Sequence, residues 1–365
     1  MVYQINEIHK VSHFFGRTIR NQRGDAEFFN WTCSGFETVF SGTVLRAEFL
    51  SISEKAPMTK PEIYEFPWIG VFLDGSDTPS QRIELKEPQK WYTLYQSDTA
   101  ATHTMKIVKL SENARGKTGI IKIETDGHLE LPVSAKPSCR LEFIGDSITC
   151  GYGNEASDRD APFLPGEENG WITYAALAAR KLGAEYNCVC VSGITMSNGS
   201  SKKSPFPFPA MEGLYEYTDR LYELSAGENP SGLRWDFQAH PVDFICINLG
   251  TNDVNLIKMA QDKAAEEQLF LRNYIKFIQK VRALNGPKAE ICCTLGPLDY
   301  YLYDNIRDAV DQYVAQSGDE HVCCFKFGGV NFFTEGFGAV GHPSAKTHQR
   351  MADELTDHLR KLLKL

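Results

Sequence analysis

The chain has 365 residues, which is long for one domain and sufficient for two. Its composition, 42% hydrophobic and 23% charged, is that of a globular protein with a sizeable core and excludes a predominantly disordered chain. The net charge of −9 argues against a nucleic acid as partner, because proteins that bind polyanions normally carry a basic surface.

The chain shows no sign of a membrane segment and little sign of export. The N-terminal residues lack the apolar core of a signal peptide, and no run of 18 apolar residues occurs. Most of the ten cysteines lie in apolar, strand-like runs, namely Cys188, Cys190, Cys246, Cys292, Cys293, Cys323 and Cys324. Because no CxxC spacing is present, we expect reduced, buried thiols and neither disulfides nor a metal site. A cytoplasmic location follows from these features, and action outside the cell would require an export segment beyond this sequence.

The first part of the chain, residues 14–131, consists of short strand-like segments separated by turn residues. The segments are 35–40, 43–50, 68–73, 90–95, 104–110 and 119–123. Their alternation and regular turn signals predict an all-β sandwich without a helix.

From about residue 138 the pattern changes to alternating strands and helices. The predicted strands are 140–145, 185–191, 242–249, 290–295 and 321–327, which are apolar runs typical of a parallel sheet covered on both faces. Helical periodicity fills the gaps, and residues 135–138 are the predicted linker. We therefore predict two domains, a β-sandwich over residues 1–136 and an α/β domain of about five parallel strands over residues 137–365.

Four polar or glycine-containing blocks follow strands of the predicted parallel sheet, where chemistry collects in such folds. Ser147 lies in Gly-Asp-Ser-Ile-Thr directly after the first strand, Gly193 follows the second, and Asn252 lies in Gly-Thr-Asn-Asp after the third. His342 precedes the C-terminal helix, with Pro343 expected at the first helical position. Each block alone is also compatible with an ordinary cap or turn.

Taken in order, Ser, Gly, Asn and His resemble the SGNH (GDSL-type) hydrolase superfamily. With the preceding sandwich, and with Gly170-Trp171 after the serine block, the chain is similar to carbohydrate esterase family 2. This resemblance implies a jelly-roll domain joined to a three-layer SGNH domain and removal of acetyl groups from xylan- or mannan-type polysaccharides or oligosaccharides. It implies Ser147 as nucleophile, His342 as general base, and the Ser147 and Gly193 amides with the Asn252 side chain as oxyanion hole. No cofactor or metal is implied.

The chain departs from the superfamily at the position of the acid. The superfamily usually places Asp two or three residues before the histidine, and Val340 and Ala339 occupy those positions here. We expect a Ser–His dyad whose imidazole is oriented by a main-chain carbonyl, with Glu335 as the rival orienter.

Two other functions remain open at this point. One is an esterase or lipase of the same superfamily that acts on small or lipid esters. The other is a non-catalytic carbohydrate-binding protein whose β-sandwich carries the function.

Overall fold

The computed structural model describes residues 1–57, 61–133, 136–226 and 232–364. The chain forms two compact units, one comprising Met1–Lys136 and Thr218–Leu233 and the other Pro137–Tyr217 and Arg234–Leu365. The predicted domain limits, 1–136 and 137–365, stay a prediction. The predicted linker includes Ala135, which lies outside the described residues.

The first part of the chain is built almost entirely of strands. In chain order its elements are β1 (Val2–Gln4), α1 (Ile5–Val11), β2 (Ser12–Phe15), β3 (Ile19–Arg20), β4 (Glu27–Phe28), β5 (Gly35–Ile52), β6 (Glu54–Lys55), β7 (Tyr64–Glu65), β8 (Trp68–Leu73), β9 (Gln81–Glu84), β10 (Gln89–Lys109), β11 (Lys117–Thr125) and β12 (His128–Glu130). Except for β6 and β7, which pair with each other, these strands form one antiparallel sheet. The sequence did not predict α1, which lies before the segment interpreted as a sandwich.

Two long strands, β5 and β10, pair along most of their length and carry the rest of this sheet. In β5 the buried apolar side chains fall on even positions up to Phe40 and on odd positions from Leu45 onward. The change occurs around Gly42, opposite a register shift in β10 between Gln96 and Ala101. Because both halves of β5 contribute to one apolar core, the strand serves two layers, as in a sandwich. The predicted all-β jelly-roll domain is confirmed.

A short later segment belongs to this first unit. Asp219 caps the helix over Arg220–Ser225, and its buried carboxylate accepts hydrogen bonds from the side-chain amides of Asn30 at 2.7 Å and Asn113 at 3.0 Å. The indole of Trp31 donates to the carbonyl of Thr218 at 2.8 Å. These bonds join residues far apart in the chain, and sequence periodicity gave no signal for them.

The remaining elements alternate between helices and parallel strands. In chain order they are β13 (Arg140–Gly145), α2 (Ser147–Cys150), α3 (Tyr174–Leu182), β14 (Glu185–Cys190), α4 (Met211–Leu214), α5 (Arg220–Ser225, of the first unit), β15 (Phe244–Asn248), α6 (Thr251–Lys258), α7 (Lys263–Asn285), β16 (Glu290–Leu295), α8 (Tyr303–Ser317), β17 (Val322–Lys326) and α9 (Ala345–Leu363). The strand order in the sheet is β14-β13-β15-β16-β17, and all neighbours are parallel.

The sheet is covered by helices as the apolar strands require. Alternate residues such as Phe143 and Cys246 form one core with α3 and α9, and Leu355 is a fully buried member of that core. Helices α7 and α8 pack together, and α8 also contacts β16 and β17. The predicted α/β domain with five parallel strands is confirmed, and the predicted strand limits agree within two residues at either end. No helix within the described part of the chain is long and apolar enough to cross a membrane.

Replacement of Asp219 by alanine tests the attachment of its segment to the first unit. The change leaves two buried amides without their acceptor, so we expect the free energy of unfolding to fall by about 2 to 4 kcal/mol. Denaturant titration measures this loss. Asp304→Ala, at a carboxylate whose side chain is 76% exposed, is the control and should change stability by about 0.5 kcal/mol or less. Equal effects of the two substitutions would contradict the structural role of Asp219.

Candidate active site

Ser147 lies at the sharp turn between β13 and α2. The Asp146 side chain caps α2 by accepting a hydrogen bond from the Ile148 amide at 3.0 Å, which places Ser147 at the first helical position. A Cβ on Gly145 would lie 2.0 Å from the Thr149 hydroxyl oxygen, so the turn requires glycine there. The serine side chain is therefore held at the carboxyl end of a central strand, on a helix start that favours negative charge.

His342 contacts Ser147 directly. Its Nε2 lies 3.0 Å from the Ser147 Oγ, and its Nδ1 lies 3.2 Å from the main-chain carbonyl of Ala339. Because a carbonyl can only accept, Nδ1 carries the proton and Nε2 presents its lone pair to the serine hydroxyl. The structure thus brings together two of the predicted site residues in the tautomer that a general base requires.

The loop that presents the Ala339 carbonyl is tightly constrained. The Ala339 amide donates to the Gly153 carbonyl at 2.9 Å, and the Gly338 amide donates to the His342 carbonyl at 2.8 Å. Val340, 59% exposed, adopts a left-handed conformation with φ of 52°, which is costly for a β-branched residue. The surrounding hydrogen bonds hold this strained turn and fix the position of the carbonyl.

Two details of the histidine's surroundings differ from or add to the sequence prediction. Helix α9 begins at Ala345 with Ser344 as its N-cap, so the prediction of Pro343 at the first helical position is wrong. The side chain of Ser344 accepts from the Thr347 amide, which places the helix start after the proline. The ring of Tyr152 packs 4.4 Å from the His342 ring, a neighbour that the sequence did not indicate.

Glu335, the rival orienter, is engaged elsewhere. Its carboxylate accepts hydrogen bonds from the Arg350 guanidinium at 2.5 Å, the Thr347 hydroxyl at 3.0 Å and the Asn331 amide at 3.0 Å. Burial raises the pKa of Glu335, but the three donors outweigh burial and hold that pKa below its usual value. The carboxylate stabilises the loop before His342 and does not contact the imidazole through any of these bonds.

The predicted oxyanion donors follow the ends of neighbouring strands, Gly193 in the loop after β14 and Asn252 in the first turn of α6 after β15. Gly145 pairs with Cys190 of β14 and with Asn248 of β15, so Ser147, Gly193 and Asn252 all follow the same edge of the sheet. The Asn252 side chain donates to the Ile194 carbonyl at 2.9 Å, which ties it to the Gly193 loop and leaves its second N–H for a ligand.

The Gly193 loop has room only for glycine at that position. Gly193 has a φ of 80°, and a Cβ there would lie 2.2 Å from the Phe206 ring. Phe206 stacks on Phe208, with ring centroids 5.5 Å apart. The sequence prediction missed this ring, although the run Phe206-Pro207-Phe208 is a recognisable signal.

Asp253 is a further residue that the sequence prediction did not assign. Its buried carboxylate accepts the Met196 amide at 3.0 and 3.2 Å and lies near Asp146. Burial is the main cause that raises the pKa of Asp253 to about 7. Asn252 and Asp253 therefore clamp the loop after β14 at two successive points.

A cavity of about 830 Å³ lies beside the His342 loop. Its lining combines charged groups with aromatic rings, including Arg159, Phe332, Phe337 and Lys346. The Arg159 guanidinium lies over the Phe337 ring at 5.0 Å, and Phe332 is 58% exposed. This mixture suits a polar ligand with flat apolar faces.

Comparison with known proteins identifies the family of the chain. Residues 143–350 match the GDSL-like Lipase/Acylhydrolase family, and the chain belongs to this family, which makes it a carboxylic ester hydrolase by class. Residues 14–132 match the model "Carbohydrate esterase 2 N-terminal". Within the SGNH superfamily the chain is thus a member of carbohydrate esterase family 2, as predicted.

Individual relatives cover nearly all of the chain. It is 31% identical to "Cellulase/esterase CelE" of Acetivibrio thermocellus over 91% of its length but spans only 37% of that protein. It is 26% identical to an "Acetylxylan esterase / glucomannan deacetylase" of Cellvibrio japonicus, covering 95% of this chain and 88% of that one. A Clostridium thermocellum family two carbohydrate esterase, solved with cellohexaose, superposes with a TM-score of 0.80 at 28% identity, covering 97% and 99% of the two chains.

The Glu335→Gln variant tests which group orients the imidazole. Glutamine removes the charge but keeps an acceptor for the loop, so we expect kcat within about threefold of the wild type if the Ala339 carbonyl is the orienter. Steady-state hydrolysis of a chromogenic acetate ester measures kcat. Arg350→Gln, which breaks the same ion pair from the other side, is the matched control. A loss above about a hundredfold in Glu335→Gln alone would establish Glu335 as the orienter.

The Asp253→Asn variant tests the buried carboxyl through pH. Its pKa is about 7 in the folded protein against an ordinary value of 3.8, so the folded state binds the extra proton between these values. The stability supplied by this group is therefore present below about pH 4 and lost progressively as the pH rises to about 7. We expect Asp253→Asn to flatten the fall in unfolding free energy over this range. Denaturant titrations at several pH values measure this free energy. If its dependence on pH is the same in Asp253→Asn as in the wild type, the raised pKa of Asp253 is contradicted.

Proposed function

We propose that the chain is a serine carbohydrate O-deacetylase that hydrolyses acetyl esters on xylan- or mannan-type polysaccharides or oligosaccharides. The observation that carries the proposal is the hydrogen-bonded chain from the Ala339 carbonyl through His342 to the Ser147 Oγ. A serine with a neutral histidine base at 3.0 Å is the arrangement that nucleophilic acyl transfer needs.

The first step forms an acetyl-enzyme. His342 Nε2 takes the hydroxyl proton as the Ser147 Oγ attacks the acetyl carbonyl, and the imidazolium then gives this proton to the departing sugar oxygen. In the second step His342 takes a proton from water and the resulting hydroxide attacks the acetyl group. Oγ regains its proton from the imidazolium as acetic acid leaves, and the acid ionises to acetate in solvent. Every proton moves through one ring nitrogen, because the other is occupied by the Ala339 carbonyl.

The developing oxyanion is held by the main-chain amides of Ser147 and Gly193 and by the Asn252 carboxamide. The bond from Asn252 to the Ile194 carbonyl supports this role, because it orients the carboxamide before substrate arrives. Preorganised donors of this kind stabilise the transition state without reorganising during the reaction.

The substrate class rests on the relatives and on the cavity. Curated relatives carry the names acetylxylan esterase and glucomannan deacetylase, and a related structure holds cellohexaose. The cavity lined by segments on both sides of His342 in the chain offers charged groups for sugar hydroxyls and the exposed Phe332 ring for a sugar face. The N-terminal sandwich, which a lipase does not need, also favours a glycan.

We place the enzyme in a reducing compartment, the cytoplasm. Most of the ten cysteines are buried, and several lie beside one another in the parallel sheet. Buried cysteines in such number are typical of proteins that work in reducing surroundings. The substrate there would be an imported acetylated oligosaccharide or an internal ester.

The Ser147→Ala variant tests the nucleophile. It removes the attacking oxygen, so turnover of a chromogenic acetate ester should fall by about 10⁴-fold or more. Ser317→Ala, at the end of α8, is the control and should keep full activity. Activity that survives in Ser147→Ala would overturn the proposed mechanism.

The substrate is tested by acetate release from acetylated xylan, acetylated glucomannan, short acetylated oligosaccharides and simple esters of increasing acyl length. We expect kcat/KM to be highest on an acetylated sugar. A preference for long acyl chains would identify a lipase, and glycan binding without hydrolysis would identify a binding protein.

A further inference from the structure

A second cluster of reactive side chains lies away from the Ser147 site. Cys292 of β16, Cys323 of β17 and His358 of α9 place two thiol sulfurs and one imidazole nitrogen within 4.8 Å of one another. The His358 Nε2 lies 3.9 Å from each sulfur. Within the described residues this is the one group of three or more potential ligands in metal-binding proximity.

From this geometry we propose that Cys292, Cys323 and His358 form a binding site for a divalent metal ion with affinity for sulfur, of which zinc(II) is the type. Zinc binds thiolate sulfur at about 2.3 Å and imidazole nitrogen at about 2.0 Å, which in tetrahedral geometry separates the two by about 3.6 Å. The observed separations of 3.9 Å need only a small contraction. The fourth position is left to water or to an exogenous anion.

Backbone pairing fixes two of the three ligands. Cys292 and Cys323 are register partners on adjacent parallel strands, so their side chains point to the same face of the sheet. Strand β16 lies between β15 and β17, and both β16 and the edge strand β17 contact helix α8. A site built on such elements is preorganised and loses little entropy on binding.

The third ligand comes from the helix that covers this face. His358 lies on the stripe of α9 that faces the sheet, three residues after the buried Leu355 and seven after the buried Met351. The ring of Phe325, two residues beyond Cys323 on the same strand, packs 4.7 Å from the His358 ring and limits its rotation. Helix α9 thus directs the His358 imidazole at two thiols. A leucine at this position would simply complete the apolar core.

Charge and access favour a divalent ion. Two thiolates and one neutral imidazole carry a charge of −2, which a divalent ion neutralises, and a neutral centre is the least costly one to bury. Cys292 is buried, whereas Cys323 and His358 are partly exposed, which provides a path for the ion to enter. Ions that prefer oxygen ligands, such as calcium or magnesium, do not suit this donor set.

The proposed site is remote from the ester-hydrolase site. His358 lies 13 residues beyond Ala345 on α9, or about 20 Å along the helix from its start near His342. A metal ion there would join α9 to β16 and β17 without touching the reacting atoms. We therefore expect it to raise stability and to leave kcat on a simple acetate ester unchanged.

Metal retention is the direct test. The reduced protein is loaded with zinc chloride, desalted, and analysed by mass spectrometry for metal content. We expect about one zinc ion per chain in the wild type and a loss of that ion in Cys323→Ser and in His358→Ala. Cobalt(II) loading should give thiolate-to-metal charge-transfer absorption in the wild type, and this absorption should disappear in Cys323→Ser.

Cys324→Ser is the matched control. Cys324 is the next residue of the same strand, is partly exposed like Cys323, and points to the opposite face of the sheet. The Cys324→Ser variant should retain the zinc ion and should show the cobalt charge-transfer absorption. Zinc should also raise the Tm of the wild type and of Cys324→Ser but not that of His358→Ala.

Two results would overturn the proposal. These are a wild-type protein that retains no zinc after desalting, and metal retention that survives in both Cys323→Ser and His358→Ala. Circular dichroism of each variant establishes that it is folded. Cys323→Ser tests the ligand on the sheet and His358→Ala tests the ligand on the helix, so the two variants are independent tests. Ester hydrolysis plays no part in these criteria, so they stand apart from the proposed function.

Discussion

The hydrogen bond between the Ala339 carbonyl and the imidazole of His342 is the constraint on which the proposed chemistry depends. It fixes the proton on Nδ1 and so leaves Nε2 to accept from Ser147. A carboxylate in the same place would add a full negative charge to stabilise the imidazolium, whereas a carbonyl supplies only a dipole. The chain thus keeps the orientation and tautomer that a triad provides while giving up part of its electrostatic support.

A carbonyl is useful as an orienter only if the backbone that carries it cannot move. Hydrogen bonds from Ala339 to Gly153 and from Gly338 to His342 hold the turn, and the left-handed Val340 shows that the surroundings override a local preference. Glu335 stabilises this turn indirectly, since its hydrogen bonds with Arg350 and Thr347 join the loop before the turn to α9. The Glu335 carboxylate, which the sequence offered as the rival orienter, therefore helps to hold the loop that carries the Ala339 carbonyl.

The sequence predicted the elements that repeat and the residues that stand in short motifs. Apolar runs located all five parallel strands, and Gly-Asp-Ser with Gly-Thr-Asn-Asp located Ser147 and Asn252. It could not predict the Ala339 carbonyl as such, because every residue has one and only the fold decides where it points. Asp219 and the trio of Cys292, Cys323 and His358 escaped for a related reason. Their partners come together through strand pairing and helix packing, and such contacts produce no short motif in the sequence.

Because a carbonyl supports the imidazolium less than a carboxylate would, we expect the oxyanion donors to contribute more to stabilising the transition state. In the proposed mechanism, the positive charge that His342 gains with the proton is balanced chiefly by the oxyanion that forms at the same moment, so the proposed donors to that oxyanion must already be in place. Asn252 bonds the Ile194 carbonyl and Asp253 bonds the Met196 amide, which fixes the Gly193 loop on both sides of Thr195. The Phe206 ring fills the space where any Cβ at Gly193 would lie. In this view the rigid loop after β14 compensates for the missing acid before His342.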